Sequence, residues 1–198
     1  MMRRAPGRRL AAVVIAGTAL VAAVARAQAP APTPWSVDTE RSTVGFAVEL
    51  FGGAVRGSFG RFEATIRLDL ERPAAGSIVA SVDTASVSTR NSERDQALVG
   101  PDWLATGTYP RAEFSSREIR RVDGGLVAEG TLTLVGRSVP IAVPLVVRAE
   151  GDRRVLDATI TLDRGSFGIG RGEWADTAVL GDAVEVSVHV EATQPSQR

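Results

Sequence analysis

The chain has 198 residues, 44% hydrophobic and 23% charged, with 23 basic residues balancing 23 acidic ones, a composition of ordinary folded domains and a length suited to one full core. Every basic residue is Arg, so lysine-amine chemistry such as Schiff-base formation is excluded. The absence of Cys removes disulfides, thiolate nucleophiles and thiolate metal sites, and a single histidine, His189, rules out His-rich metal sites and leaves little scope for imidazole acid–base work.

Arg3, Arg4, Arg8 and Arg9 precede an uncharged apolar stretch at residues 10–25, and Ala25-Arg26-Ala27 supplies the small-x-small pattern of a signal-peptidase site. The stretch is shorter than the ~20 residues of a spanning helix. Residues 1–27 are therefore expected to be a removed export signal rather than a stable membrane anchor, which places the mature chain in the periplasm or outside the cell. Removing five of the 23 arginines leaves 18 against 23 acids, 18 − 23 = −5, a balance that argues against a nucleic-acid partner. Residues 28–34 (QAPAPTP) alternate Pro with small residues and read as an extended linker, and residues 194–198 as a frayed tail.

From Trp35 to residue 193 the dominant period is two. Val44, Phe46, Val48 and Leu50 share one strand face. Val55, Gly57 and Phe59 continue on odd positions and Phe62, Ala64, Ile66, Leu68 and Leu70 on even ones, so a bend or bulge is expected near Gly60. Further strands carry Ile78, Ala80 and Val82; Arg111 to Ile119 with Phe114; Leu126, Ala128, Gly130, Leu132 and Leu134; Val139, Ile141, Val143, Leu145 and Val147; Leu156, Ala158, Ile160 and Leu162; and Val184, Val186, Val188 and Val190. Asp123-Gly124, Gly136-Arg137 and Gly151-Asp152 suit tight hairpin turns. About eight antiparallel strands with little helix point to a sandwich or a barrel, of which the barrel is preferred. Pro140 and Pro144 each remove a ladder donor, so their strand is expected to be bulged or locally unpaired.

Two segments break the alternation. Between Ser88 and Pro110, Asn91 and Ser92 can cap a short helix and Pro101-Asp102 can start a turn, which reads as a crossover over one barrel end. The Gly-rich segment between Arg164 and Asp182 is too long for a simple hairpin. Trp103 and Trp174 lie on these two segments. Its glycines open no helical pattern of the kind a nucleotide loop needs. Glu93, Asp95 and Asp102 are the nearest approach to a carboxylate pair, His189 alternates outward, and no Ser-His-Asp set or metal cluster can be assembled. The positive signal is apolar: Phe46, Phe59, Phe62, Phe114, Leu132 and Val186 fall on inward faces. Periodicity does not separate a filled barrel from a hollow one.

Val37-Asp38, Ser42-Thr43-Val44-Gly45-Phe46-Ala47-Val48 and Val55-Arg56-Gly57-Ser58-Phe59 resemble the opening of the YceI-like family. Thr89-Arg90-Asn91, Arg94-Asp95, Leu98, Tyr109-Pro110 and Phe114-Ser115-Ser116 are similar to its central signature. Gly130-Thr131-Leu132-Thr133-Leu134, Gly136, Pro140, and Asp163-Arg164 through Phe167-Gly168-Ile169 to Trp174 complete it, so the likeness runs from Trp35 to Ala192. The resemblance implies an all-β, eight-stranded antiparallel lipocalin-like barrel with a short helical crossover, spanning residues 35–193. It implies an exported protein holding a polyisoprenoid lipid, an isoprenoid quinone or prenyl phosphate, in an apolar cavity for carriage or storage. The cavity residues it implies are Phe46, Val48, Phe59, Phe62, Ile66, Trp103, Phe114, Leu132, Phe167 and Trp174, with no catalytic residue, metal or cofactor beyond the lipid. Where many relatives carry His, this chain has Leu50 and Ala97. Two alternatives stay open at this point: an enzyme of the same fold using the crossover carboxylates, and a solid barrel that binds a protein partner. A homodimer is also left open.

The signal reading predicts a mature chain that begins at or near Gln28. Intact-mass measurement of the exported protein checks this, and a membrane-held product that retains residues 1–27 would refute it.

Overall fold

Alternating side chains can bury one face of a strand only if the sheet curls back on itself or meets another layer. The computed structural model describes Pro32 and residues 34–193. The expected signal at 1–27, most of the expected linker and the tail at 194–198 lie outside the described residues. Ten strands form one antiparallel sheet: β1 (Ser36–Leu50), β2 (Gly53–Phe59), β3 (Phe62–Arg67), β4 (Ser77–Asp83), β5 (Val87–Ser88), β6 (Arg111–Val122), β7 (Gly125–Leu134), β8 (Arg137–Glu150), β9 (Arg153–Asp163) and β10 (Leu180–Thr193). Their order is β3-β4-β6-β7-β8-β9-β10-β1-β2-β5. The count exceeds the expected eight for two reasons. β2 and β3 are halves of one strand broken at Gly60-Arg61, where the alternation changes parity, and β5 is a two-residue rung on the edge of β2.

The β6–β7 and β8–β9 hairpins turn at Gly124 and Gly151, both at positive φ. The β7–β8 turn is Val135-Gly136, with φ 50 and 70, one residue earlier than the sequence suggests. That two-residue turn explains the prolines. It makes Leu134 and Arg137 the closing pair, so alternate residues of β8 direct their backbone groups away from β7. Pro140 and Pro144 occupy such positions and pair with Thr131 and Val127 without any bulge. Their missing donors fall on the β9 side, where pairing begins only at Val146↔Asp157 and runs to Glu150↔Arg153. The strand is thus locally unpaired, as its prolines require, and not bulged.

β1 carries the opposite irregularity. Its residues 39–42 face only Val190 between the rungs Asp38↔Glu191 and Thr43↔His189. Ser42 ties the excursion down: its Oγ donates to the Asp38 carbonyl at 2.6 Å and accepts from Glu191 N at 3.0 Å, and its side chain is buried. Just before β1, Trp35 links to the end of β3. Its backbone N–H reaches Ile66 O at 2.7 Å and its indole N–H reaches Leu68 O at 3.1 Å.

Helix α1 (Ser92–Leu98) starts where Asn91 accepts from Arg94 N at 2.9 Å, as its sequence suggests. The short α2 (Arg164–Phe167) is capped by Asp163, which accepts from Gly165 N at 2.7 Å. Among the described residues no helix is long and apolar enough to cross a membrane.

The close-packed core occupies only one end of the barrel. Trp35, Ile66, Leu68, Ile119, Leu126, Leu145, Leu156 and Val190 form a single cluster there, and Leu68 and Ile119 are 0% exposed. Replacing Trp35 with Phe keeps most of the apolar bulk but strips the Leu68 carbonyl of its partner. A loss of about 1–3 kcal/mol is expected, read as a fall in Tm of several degrees in thermal unfolding.

Candidate ligand cavity

Toward the crossover end the same alternation continues, but the side chains stop filling the space. Phe46, Phe62, Phe114, Leu132, Ile141, Ile160 and Val186 all point inward yet are only half-buried. Inward residues retain accessible surface only when they border a void. Small residues explain why the void exists: Gly57, Ala64, Ala80 and Gly130 occupy inward positions where larger side chains would meet across the lumen. At Gly57 a Cβ would collide with the ring of Phe46, and at Gly130 it would stand 2.8 Å from Phe114 Cε2. The two glycines let these rings lie flat against the wall instead of projecting into the lumen. Phe46 also leans on Phe59, ring centroids 5.6 Å apart.

The hollow has three compartments in series. The lowest, about 170 Å³, sits on the packed core and is bordered by Phe62, Ile66, Phe114 and Leu132. The next, about 130 Å³, is bordered by Phe46, Val48, Phe59, Trp103 and Phe167, and shares Leu162 and Val186 with the first. Only apolar surface faces either of them. The third, about 380 Å³, is the mouth beneath α1, with Trp174 on its rim, and shares Phe46, Val48, Leu98, Trp103 and Leu180 with the second. All ten residues expected at the cavity therefore border one of the three. Ile66 and Phe167 do so from packed positions, each 2% exposed. Trp103 and Trp174 come together across the lid, ring centroids 5.5 Å apart. Leu50 and Ala97 both border the mouth, whose polar groups are Thr89, Asn91, Glu93 and Arg94.

One residue that sequence periodicity passes over organises this end. Arg164 is 5% exposed and borders the middle compartment. Its guanidinium donates to the carbonyls of Gly181 (3.1 Å), Ile169 (3.0 Å), Gly170 (2.9 Å) and Leu180 (2.9 Å), and pairs with Asp182 at 3.1 Å. Four of its five N–H groups are thus spent on loop carbonyls, so it braces the lid loop.

Of the crossover carboxylates, Asp95 is held by its own segment. Asp95 accepts from Thr89 N and Thr89 Oγ1, both at 2.6 Å, and from Ser88 Oγ at 3.2 Å. These hydrogen bonds, that of the Thr89 hydroxyl foremost, hold its carboxyl below the ordinary value. It stays ionised and clamps the crossover. His189 is half-buried rather than fully exposed. On the outer face of β10 its Nδ1 lies 2.7 Å from Asp157 Oδ1, and Asp157 also meets Arg148 at 2.6 Å. Among the described residues no three His, Asp or Glu side chains are placed to hold a metal. A larger open groove of about 540 Å³ lies outside the wall near Gly60. There Arg61 pairs with Asp83 at 2.8 Å, and Arg111 is held by Ser81 at 2.9 Å.

Comparison with known proteins agrees with this geometry. A sequence profile described as the YceI-like domain matches residues 35–192. Protein YceI of Escherichia coli is 31% identical over 121 residues, 60% of this chain. The match spans 63% of that relative's length, just under two thirds. A UPF0312 protein of Shewanella putrefaciens is 31% identical over 163 residues, covering 77% of this chain and 83% of the relative. Among solved structures, BcnA of Burkholderia cenocepacia superposes with a TM-score of 0.78 at 30% identity, over 80% of this chain and 100% of that one. A domain from Saccharophagus degradans described as polyisoprenoid binding shares the fold, with a TM-score of 0.63 at 17% identity over 81% and 98% of the two chains.

Arg164→Met should keep the apolar stem and strand four carbonyls. A loss of at least about 3 kcal/mol is expected, measured by denaturant unfolding, together with freer Trp174 fluorescence as the lid loop loosens.

Proposed function

The chain belongs to the YceI-like family, and from that membership and its hollow interior we propose that it holds a polyisoprenoid chain, the tail of an isoprenoid quinone or prenyl phosphate, for carriage or storage. The observation that carries the reading is the set of inward aromatic and aliphatic side chains left half-bare around wholly apolar compartments. Such a space has no groups with which to read polar chemistry and excludes water poorly matched to it, so its natural occupant is a hydrocarbon chain. The polyisoprenoid description of the Saccharophagus degradans domain supports the choice among hydrocarbons. The half-bare inward side chains favour a hollow barrel over a solid one.

Each isoprene unit brings five carbons, and at ~0.8 kcal/mol per buried CH₂ it contributes roughly 4 kcal/mol before ordering costs. Affinity therefore follows tail length. The head group stays at the mouth, where Thr89, Asn91, Glu93 and Arg94 supply the polar contacts. With Leu50 and Ala97 in place of the imidazoles of many relatives, the mouth reads the head group weakly. The ligand is bound and released without chemical change, since Asp95 is committed to the crossover. The basic-apolar opening of the sequence supports delivery to the periplasm or beyond.

Organic extraction of the purified protein followed by mass spectrometry should recover a prenyl lipid, unaltered after incubation with the protein. Leu132→Trp adds bulk without charge on the lowest compartment. It should abolish lipid retention while changing stability by less than about 1.5 kcal/mol. A wild-type protein that never retains prenyl lipid, combined with a strongly destabilised Leu132→Trp variant, would overturn the reading.

A further inference from the structure

The tip of the β1–β2 hairpin is built against its own backbone preference. Phe51 and Gly52 form its turn with φ 51 and 72. A turn with both central residues at positive φ favours Asn-Gly, because a bulky side chain in the left-handed region crowds its own backbone. Here the first position holds Phe, and its ring is not buried in compensation. Phe51 is 72% exposed, the most exposed of the large hydrophobic residues among the described ones. The tip is also fixed in place, since Phe51 N donates to Val179 O at 2.8 Å on the segment leading into β10.

Its position gives the strain a use. The neighbours Leu50 and Val55 border the mouth of the cavity, so Phe51 stands on the rim of the opening. Residues 50–55 (LFGGAV) include no polar side chain, in a chain that is 23% charged. We propose that this tip is a bilayer-docking element: Phe51 enters the interfacial region of a membrane and presents the mouth to the lipid. The proposal rests on the lipid-carrying reading above, because a cargo that resides in a bilayer must cross from the bilayer to the lumen without passing through water. A single aromatic tip gives a weak, reversible contact, which suits pick-up and delivery rather than anchoring. The flanking charges are balanced, Glu49 against Arg56 on the hairpin and Glu93 against Arg94 at the mouth, so the surface recognised is the apolar–headgroup boundary itself and not an anionic lipid.

The test uses the full mature protein, supported bilayers and vesicles of pure phosphatidylcholine, and a prenyl quinone delivered either in those vesicles or in detergent. Phe51→Asn removes the ring and places at positive φ a residue that tolerates it, so the hairpin and Tm are kept. It should lower both equilibrium capture by the bilayer and the initial rate of quinone transfer from vesicles by about tenfold. Quinone binding from detergent should be unchanged, and Phe51→Trp should behave as wild type. Wild-type capture by Phe51→Asn, or no capture of the wild type, overturns the docking proposal. If the wild type takes up no quinone even from detergent, the carrier reading fails by itself, and the bilayer capture of the two proteins still decides the role of Phe51.

Discussion

The barrel contains too little inward side-chain volume to fill itself, and where that shortfall falls along its axis governs the rest of the structure. At the Trp35 end the inward residues are Leu and Ile, closed over by an indole, and they pack to full burial. Above them Gly57, Ala64, Ala80 and Gly130 withdraw volume, and the rings of Phe46 and Phe114 fold back over the two glycines. With no disulfide available, the packed end must carry the stability of the domain. The hollow end is then free to be wide, apolar within and lined by some polar side chains at its mouth.

Holding such an end open needs polar scaffolding that a packed core would not require. Arg164 does this from within, its buried guanidinium binding the lid loop to the start of β10. Asp95 does it from the other side by tying α1 to the chain around Thr89. Both charges are engaged by their own surrounding backbone and side chains. Their position beside an apolar cavity reflects the need to satisfy loop backbone where no neighbouring strand can.

Much of this was legible in the sequence because a barrel wall imposes period two on every strand, and the change of parity at Gly60 marked a real break. The inward positions of Phe46, Phe59, Phe62, Phe114 and Leu132 were identifiable for the same reason, since an inward position is a property of one strand, whereas Trp103, Phe167 and Trp174 lie off the strands and carried no such period. Hollowness is not a property of one strand. It depends on summing volumes across eight walls, and Gly130 weighs on it as heavily as Leu132 although it looks like a gap in the pattern. The bracing by Arg164 was hidden because its partners are carbonyls, which no residue type announces. The tightness of the β7–β8 turn was misplaced by a single residue because Val135 adopts the positive φ that sequence reserves for Gly or Asn.

The prolines of β8 have a consequence beyond their own strand. Where β8 and β9 part, a stretch of sheet edge is left without a ladder partner on one side, and such edges invite pairing between separate molecules. Pro140 and Pro144 remove the donors that an incoming strand would have to use, at alternate rungs of that stretch. The two prolines thereby keep a partly opened barrel wall from becoming a seed for aggregation.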